Sequence, residues 1–300
     1  MLVLVTGASG QLGSATAQRL RSIATVVASD RARLDLAKPS TIAAVLDEIA
    51  PDLVINAAAY TTVDRAEAEP ELAERVNAEA PGVLARWCAR RSVPLIHFST
   101  DYVFDGQGTR PWSEDDAPRP LSAYAISKLA GEEQVRAANG CFLIVRTSWI
   151  YAARGTNFLR KISALAKSNQ ELRIVADQIG APTPASLIAE GIWRMLEPGL
   201  PMFREKAAQS SGLVHLTASG ETSWYDFARQ IVDGLRSRGV SLAVERILPI
   251  RTEEFPLPAQ RPLNSRLNLE RLDTVFGVTP LDWQEALKPE LDMLARDLID

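Results

Sequence analysis

Tyr124 and Lys128 lie four residues apart in YAISK (124–128), so on a helix they share one face. An ammonium beside a phenol stabilises the phenolate and lowers the tyrosine pKa. Such a tyrosine becomes a usable proton donor to a carbonyl oxygen that gains charge. Upstream, PLIHFST (94–100) reads as a buried strand ending at Thr100. Ligands gather at the C-terminal ends of parallel strands, where a threonine hydroxyl can hold and polarise the same oxygen. A Tyr-x-x-x-Lys pair alone also occurs on many surface helices, so this chemistry needs support from the rest of the chain.

That support begins at the N-terminus. LVLVT (2–6) is a short apolar strand, and GASGQLG (7–13) follows it directly. Gly7, Gly10 and Gly13 permit a tight turn that a diphosphate can approach, and the next helix offers free N–H groups. Ser9, Gln11 and Leu12 belong to the same turn. The spacing is G-x-x-G-x-x-G, not the commoner dinucleotide G-x-G-x-x-G. Asp30 closes the second strand, TVVASD (25–30), where a carboxylate can accept from ribose hydroxyls and favour NADH. Arg31 could instead pair with a 2′-phosphate and favour NADPH, or both side chains face water. Asp35 and Leu36 are candidates to lie beside the adenine. Asn56, Ala57, Ala58 and Ala59 end the third strand with residues small enough for a cofactor to pass, or simply pack there. A nicotinamide held above the strand ends would supply hydride.

The elements that must position these groups alternate. Strands at 2–6, 25–30, 53–59, 94–100 and 142–150 are separated by helical stretches near 12–20, 40–50 and 69–91, with Pro81 as a difficulty for the last. Continuous apolar strands between amphipathic helices predict a parallel sheet covered on both faces. In the second half, helices are expected near 184–196, at 223–236 with Ser223 as cap, and in the tail with a break at Pro289. The fold class expected is α/β. A Rossmann-like doubly wound parallel sheet, residues 1–150, is followed by a smaller C-terminal α/β substrate-binding domain, residues 151–300, with interleaving possible at the boundary.

Three hundred residues can build a large core, and 46% of them are hydrophobic. The net charge of −4 argues against a general nucleic-acid binder. No run of about 18 apolar residues suggests a membrane span. Cys88 and Cys141 form no framework and read as two buried reduced thiols, and a cytoplasmic enzyme is the default. His97 and His215 read as structural strand residues, and no grouping has catalytic-metal spacing.

Taken together, GASGQLG, NAAAYTTVDRAE (56–67), STDYVFDG (99–106), YAISKLAGE (124–132), RTSWIY (146–151), DQIGAPT (177–183) and RPLNSRL (261–267) give the chain a resemblance. It resembles the extended short-chain dehydrogenase/reductases and, more closely, the dTDP-4-dehydrorhamnose reductase family, over nearly its full length. The resemblance implies reduction of the 4-keto group of dTDP-4-dehydro-L-rhamnose to dTDP-L-rhamnose by NADPH or NADH. Tyr124 is then the general acid, Lys128 lowers its pKa and holds the nicotinamide ribose, and Thr100 binds the reacting oxygen. Asp101 and Tyr102 line the sugar site, and Thr62, Val63 and Asp64 form its wall. Trp149 packs on the deoxyhexose, or is a core tryptophan. Arg261 meets the diphosphate, or makes a structural salt bridge. Asn157 positions the nucleotide-sugar, and Pro182 and Pro184 stiffen the cleft wall.

Some members of this family form dimers bridged by Mg²⁺ through acidic side chains. Ala15 stands at one such position here, and Glu190 alone is a poor site for a cation that wants several oxygens. No catalytic metal is expected, and the chain could be a monomer or a homodimer. A nucleotide-sugar epimerase or 4,6-dehydratase could use the same Tyr/Lys pair. A dehydratase would need a second carboxylate after Thr100-Asp101, where Tyr102 stands instead. A non-catalytic nucleotide-binding subunit on the same fold is the remaining alternative.

Overall fold

The computed structural model describes residues 1–299. The first half alternates strands and helices: β1 (Leu2–Thr6), α1 (Gln11–Leu20), β2 (Thr25–Ser29), α2 (Pro39–Ile49), β3 (Leu53–Asn56), α3 (Val63–Ala66), α4 (Pro70–Glu74), α5 (Ala80–Arg91), β4 (Leu95–Thr100), α6 (Ala123–Ala137) and β5 (Phe142–Thr147). The second half holds β6 (Ile150–Tyr151), α7 (Phe158–Ser168), β7 (Glu171–Val175), β8 (Ile179–Gly180), β9 (Thr183–Pro184), α8 (Ala185–Leu196) and α9 (Leu200–Gln209). It continues through β10 (Leu213–His215), β11 (Thr222–Ser223), α10 (Trp224–Arg236), β12 (Arg246–Ile250), α11 (Glu270–Phe276) and α12 (Trp283–Ile299).

Six strands form one parallel sheet in the order β10-β5-β4-β3-β1-β2. Side chains alternate across it. Val3, Val5, Ile55, Phe98 and Val145 pack one face against α1, α8, α9 and α11. Leu4, Val54, Leu95 and Ile144 pack the other against α2, α5 and α6. This double cover is why the strands are apolar throughout. The chain runs outward from β1 to β2 and then crosses back to β3, so the sheet has its topological switch point between β1 and β3. The second half contributes α8, α9, β10 and α11 to this layer. A separate core gathers α7, α10 and α12 beside the β7–β12 pair, with Leu159, Phe227, Ile231, Trp283 and Leu291 at its centre.

Two expectations about helices meet prolines. The long helix near 69–91 does continue through Pro81, but residues Arg75–Glu79 form a π turn. Pro81 has no N–H to give the Asn77 carbonyl, so the α-type bond there cannot form. The break expected at Pro289 is absent: α12 runs on through it. A proline inside a helix costs about 3 kcal/mol. Trp283, Leu287, Leu291 and Leu294 are buried on both sides of it, each contributing about 1.5–3 kcal/mol, and they hold the axis. The cysteines are both free, though Cys141 is half-buried where full burial was expected.

Candidate active site

The cofactor cradle sits at the switch point. Gly7 has φ +64, and a Cβ there would lie 2.8 Å from the Ala58 backbone. The turn after β1 and the end of β3 therefore touch main chain to main chain, which only glycine allows. A Cβ on Gly13 would fall 2.2 Å from the Gly7 carbonyl oxygen. The first amides of α1 receive no side-chain cap, which leaves them for an anion. Beneath the turn, Thr6 Oγ1 donates to Asn56 Oδ1 at 2.6 Å and accepts from the Ala58 amide at 3.1 Å. Asn56 Nδ2 meets His97 Nδ1 at 3.0 Å. The Asn56 side chain thus faces inward and braces the cradle from below.

The other cofactor candidates fall in two places. Leu12 and Leu36 turn their side chains into the core, while Ser9 is exposed and Gln11 half-buried. Asp30 Oδ1 accepts from the amides of Ala32 and Arg33, an arrangement that fixes the bend after β2. Arg31 reaches Asp35 at 3.3 Å with its own side chain largely in water.

Thr100, Tyr124 and Lys128 come together. Thr100 ends β4, and its Oγ1 accepts from the Tyr102 amide and donates to Asp101 Oδ1. Ser122 caps α6 by accepting from the Ala125 amide, which places Tyr124 in the first turn. The phenol is pushed up to about 12, by burial first, with the Thr100 hydroxyl opposing and the Asp101 charge adding. The sequence reading expects the opposite direction, a lowering by Lys128. The reason for the difference is burial of the phenol, which outweighs any help from the lysine. Lys128 Nζ is buried and donates to the Phe98 carbonyl at 2.6 Å. Desolvation takes it down to about 8, and Glu132 opposes that. It shares a helix face with Tyr124, and its hydrogen bond goes to Phe98 and not to the phenol.

Asp101 is 2% exposed, with Oδ2 unpaired. Burial raises it to about 7, while the hydrogen bond from Thr100 and the nearby Ser265 hydroxyl oppose the rise. Tyr102 stands edge-on to Tyr124, 6.1 Å between centroids. Asp64 Oδ2 accepts from Arg261 Nη2 at 2.8 Å and its Oδ1 from the Ala259 amide, so the wall after β3 is bound to the RPLNSRL segment. Thr62 and Val63 open α3 beside it. Trp149 has φ +46 and stacks on Trp224 with centroids 3.5 Å apart. Asn157 caps α7 and donates to Gln11 Oε1 at 2.8 Å, tying its loop to the glycine turn. Glu190 is held by Arg19 at 2.6 Å and Arg194 at 3.1 Å, with Ala15 elsewhere on α1. No group of three or more metal-ligating side chains occurs among the described residues.

Asn77 is the residue the sequence reading misses. From the π turn its Nδ2 donates to the Tyr60 carbonyl and to Ser127 Oγ, and its Oδ1 accepts from the Tyr60 amide. Ser127 Oγ in turn donates to the Tyr124 carbonyl. The loop after β3 and the helix bearing Tyr124 are thereby joined through one amide side chain. An asparagine next to Ala-Glu-Ala-Pro in a long helix was the available signal.

The family profile described as RmlD substrate binding domain matches residues 1–296. A dTDP-4-dehydrorhamnose reductase of Burkholderia thailandensis is 45% identical, over 100% of this chain and 99% of its own. The chain belongs to the dTDP-4-dehydrorhamnose reductase family. The solved structure of such a reductase from Clostridium acetobutylicum is similar with a TM-score of 0.87 and 36% identity, covering 98% of this chain and 99% of that one. That of the Bacillus anthracis reductase, in complex with NADP, has a TM-score of 0.86 and 33% identity over 97% and 98%. As a member of this family the chain is an NAD(P)H-dependent oxidoreductase of the extended short-chain dehydrogenase/reductase superfamily, and the expected fold class holds. No described helix is long and apolar enough to cross a membrane.

Proposed function

We propose that this reductase carries out its step with Tyr124 as the proton donor to the C4 oxygen of dTDP-4-dehydro-L-rhamnose, giving dTDP-L-rhamnose. The observation that carries this is the meeting of Tyr124 and Lys128 on one face of α6 beside Thr100 at the end of β4. The hydride to C4 would come from a reduced nicotinamide held in the glycine-turn cradle. Thr100 holds the oxygen and Tyr124 releases its proton as charge develops there. A phenol held near 12 stays protonated at neutral pH until the carbonyl oxygen becomes basic. The Lys128 ammonium stabilises the phenolate that results.

Gly7, Gly10 and Gly13 with the amides of α1 would hold the diphosphate, and the Ala57–Ala59 backbone lets it pass. Asp30 and Arg31 border the adenosine ribose. The sugar site is the floor of Thr100, Asp101 and Tyr102, walled by Thr62, Val63 and the Asp64–Arg261 pair. Trp149 is fixed by Trp224 as a flat wall for the deoxyhexose, and Asn157 borders the same cleft. The second core serves as the nucleotide-sugar domain, and we place the enzyme in the cytoplasm.

The test is absorbance at 340 nm with verified dTDP-4-dehydro-L-rhamnose and either NADH or NADPH, the sugar product being identified. Cofactor oxidation matched by dTDP-L-rhamnose supports the reading. Turnover of the sugar with no net cofactor consumption would assign the chain to epimerisation instead.

A further inference from the structure

Tyr124, Lys128 and Glu132 recur every fourth residue of α6, so they form a ladder on one helix face. The last rung is clamped from the sheet. Arg146 of β5 gives Glu132 two parallel hydrogen bonds, Nε to Oε1 at 2.8 Å and Nη2 to Oε2 at 2.7 Å. The side chains are 3% and 1% exposed, so the pair is shut away from water. The Arg146 guanidinium also lies 5.1 Å over the Phe104 ring, and its Nη1 has no partner. A buried ion pair is weak evidence for stability, because desolvating both charges offsets much of their attraction. Its placement one turn behind a buried lysine gives it a different use.

We propose that Glu132, clamped by Arg146, is a positioning residue that acts through Lys128 and keeps its ammonium charged on the face that carries Tyr124. This rests on the roles given to Tyr124 and Lys128 above. Among the described residues, Lys128 has one hydrogen bond, to the Phe98 carbonyl, and no carboxylate pairs with it. Its charge therefore depends on neighbours at a distance. From β4 comes His97, held neutral by burial. Glu132 opposes the desolvation of Lys128. Arg136 on the same helix and Arg146 face Glu132. Asp101, in the turn after β4, acts on Tyr124, while Glu67 of the loop after α3 caps the helix start. Glu74 and Glu79 face Glu133, and Arg86 of α5 meets Gln134. From the π turn, Asn77 bonds Ser127 on Lys128's helix. Glu132 is thus the carboxylate placed to sustain the lysine.

The full-length enzyme would be compared with Glu132→Gln and with the double variant Glu132→Gln/Arg146→Gln, which removes both charges and leaves no ion unpaired. Melting temperature and cofactor affinity report folding; kcat against pH reports Lys128. Both variants should move the alkaline fall of kcat to lower pH by about one unit or more. In the double variant, recovered stability should not restore the wild-type profile. Glu132→Asp, which keeps the charge, should shift the profile less than Glu132→Gln. A folded double variant with the wild-type profile would overturn the proposal and leave the pair as a structural clamp. An alkaline fall that survives in Lys128→Met would instead overturn the reading of Lys128 itself.

Discussion

Lys128 Nζ donates to the carbonyl oxygen of Phe98 at 2.6 Å, across the gap between α6 and β4. The bond fixes the ammonium two residues before Thr100, which ends the same strand. Helix and strand are thus tied together by Lys128 itself.

This fixes the pH response. Desolvation takes Lys128 from 10.5 to about 8. The ammonium is present below that value and lost above it, so reduction should slow as pH rises through about 8. The sign for stability is separate. The unfolded chain holds this proton up to the ordinary lysine range, so the burden of burying the charge is relieved between about 8 and 10.5. Steady-state kcat from pH 6 to 10 should show the fall, and Lys128→Met should abolish it.

Gly131 faces the π turn. A Cβ on Gly131 would stand 2.0 Å from the Asn77 carbonyl oxygen, which is backbone and cannot swing aside. Gly131→Ala should destabilise the protein by about 1–3 kcal/mol and lower kcat with it. A denaturation midpoint equal to wild type would show that α6 can retreat freely.

Asn77→Ala removes three hydrogen bonds that join Tyr60 to Ser127. Leaving the Tyr60 amide and carbonyl unpaired should cost about 1–3 kcal/mol. Because Ser127 is bonded to the Tyr124 carbonyl, kcat should fall several-fold further than in a surface variant of equal stability. Thermal melts and kcat measured together check this.

The buried histidines set an acid limit. His215 lies fully inside, its Nδ1 3.2 Å from the Asn268 carbonyl, and burial lowers it from 6.5 to about 3. Its neutral form is favoured in the fold, so stability is full above about 6.5 and falls as pH drops toward 3. By pH 5 the loss from this group is about 2 kcal/mol, and His97 is displaced in the same direction. Urea midpoints at pH 7 and pH 5 should differ accordingly. His215→Gln should reduce that difference whatever its stability at pH 7.

Much of this was legible in the chain. β1 and the glycine turn were readable because apolar runs and closely spaced glycines report local backbone needs, and Ser223 was readable as a cap for the same reason. The Tyr124–Lys128 face follows from helical period alone. The direction of the Tyr124 shift was not legible, since it depends on burial by distant segments. Nor was the π turn: it arises where Pro81 withholds an N–H and Gly131, on another helix, makes room for the freed carbonyl. The continuity of α12 through Pro289 likewise depends on a core assembled from α7 and α10. Local rules for proline cannot report it.

The most direct measurement compares wild type and Tyr124→Phe in the same assay, with dTDP-4-dehydro-L-rhamnose and saturating reduced cofactor. Phenylalanine keeps the ring and removes only the proton donor. Cofactor affinity should stay within about twofold, while kcat should fall by about 10²–10⁴. A kcat within a few-fold of wild type, from a variant that still binds cofactor, would contradict the assignment of Tyr124 as the acid.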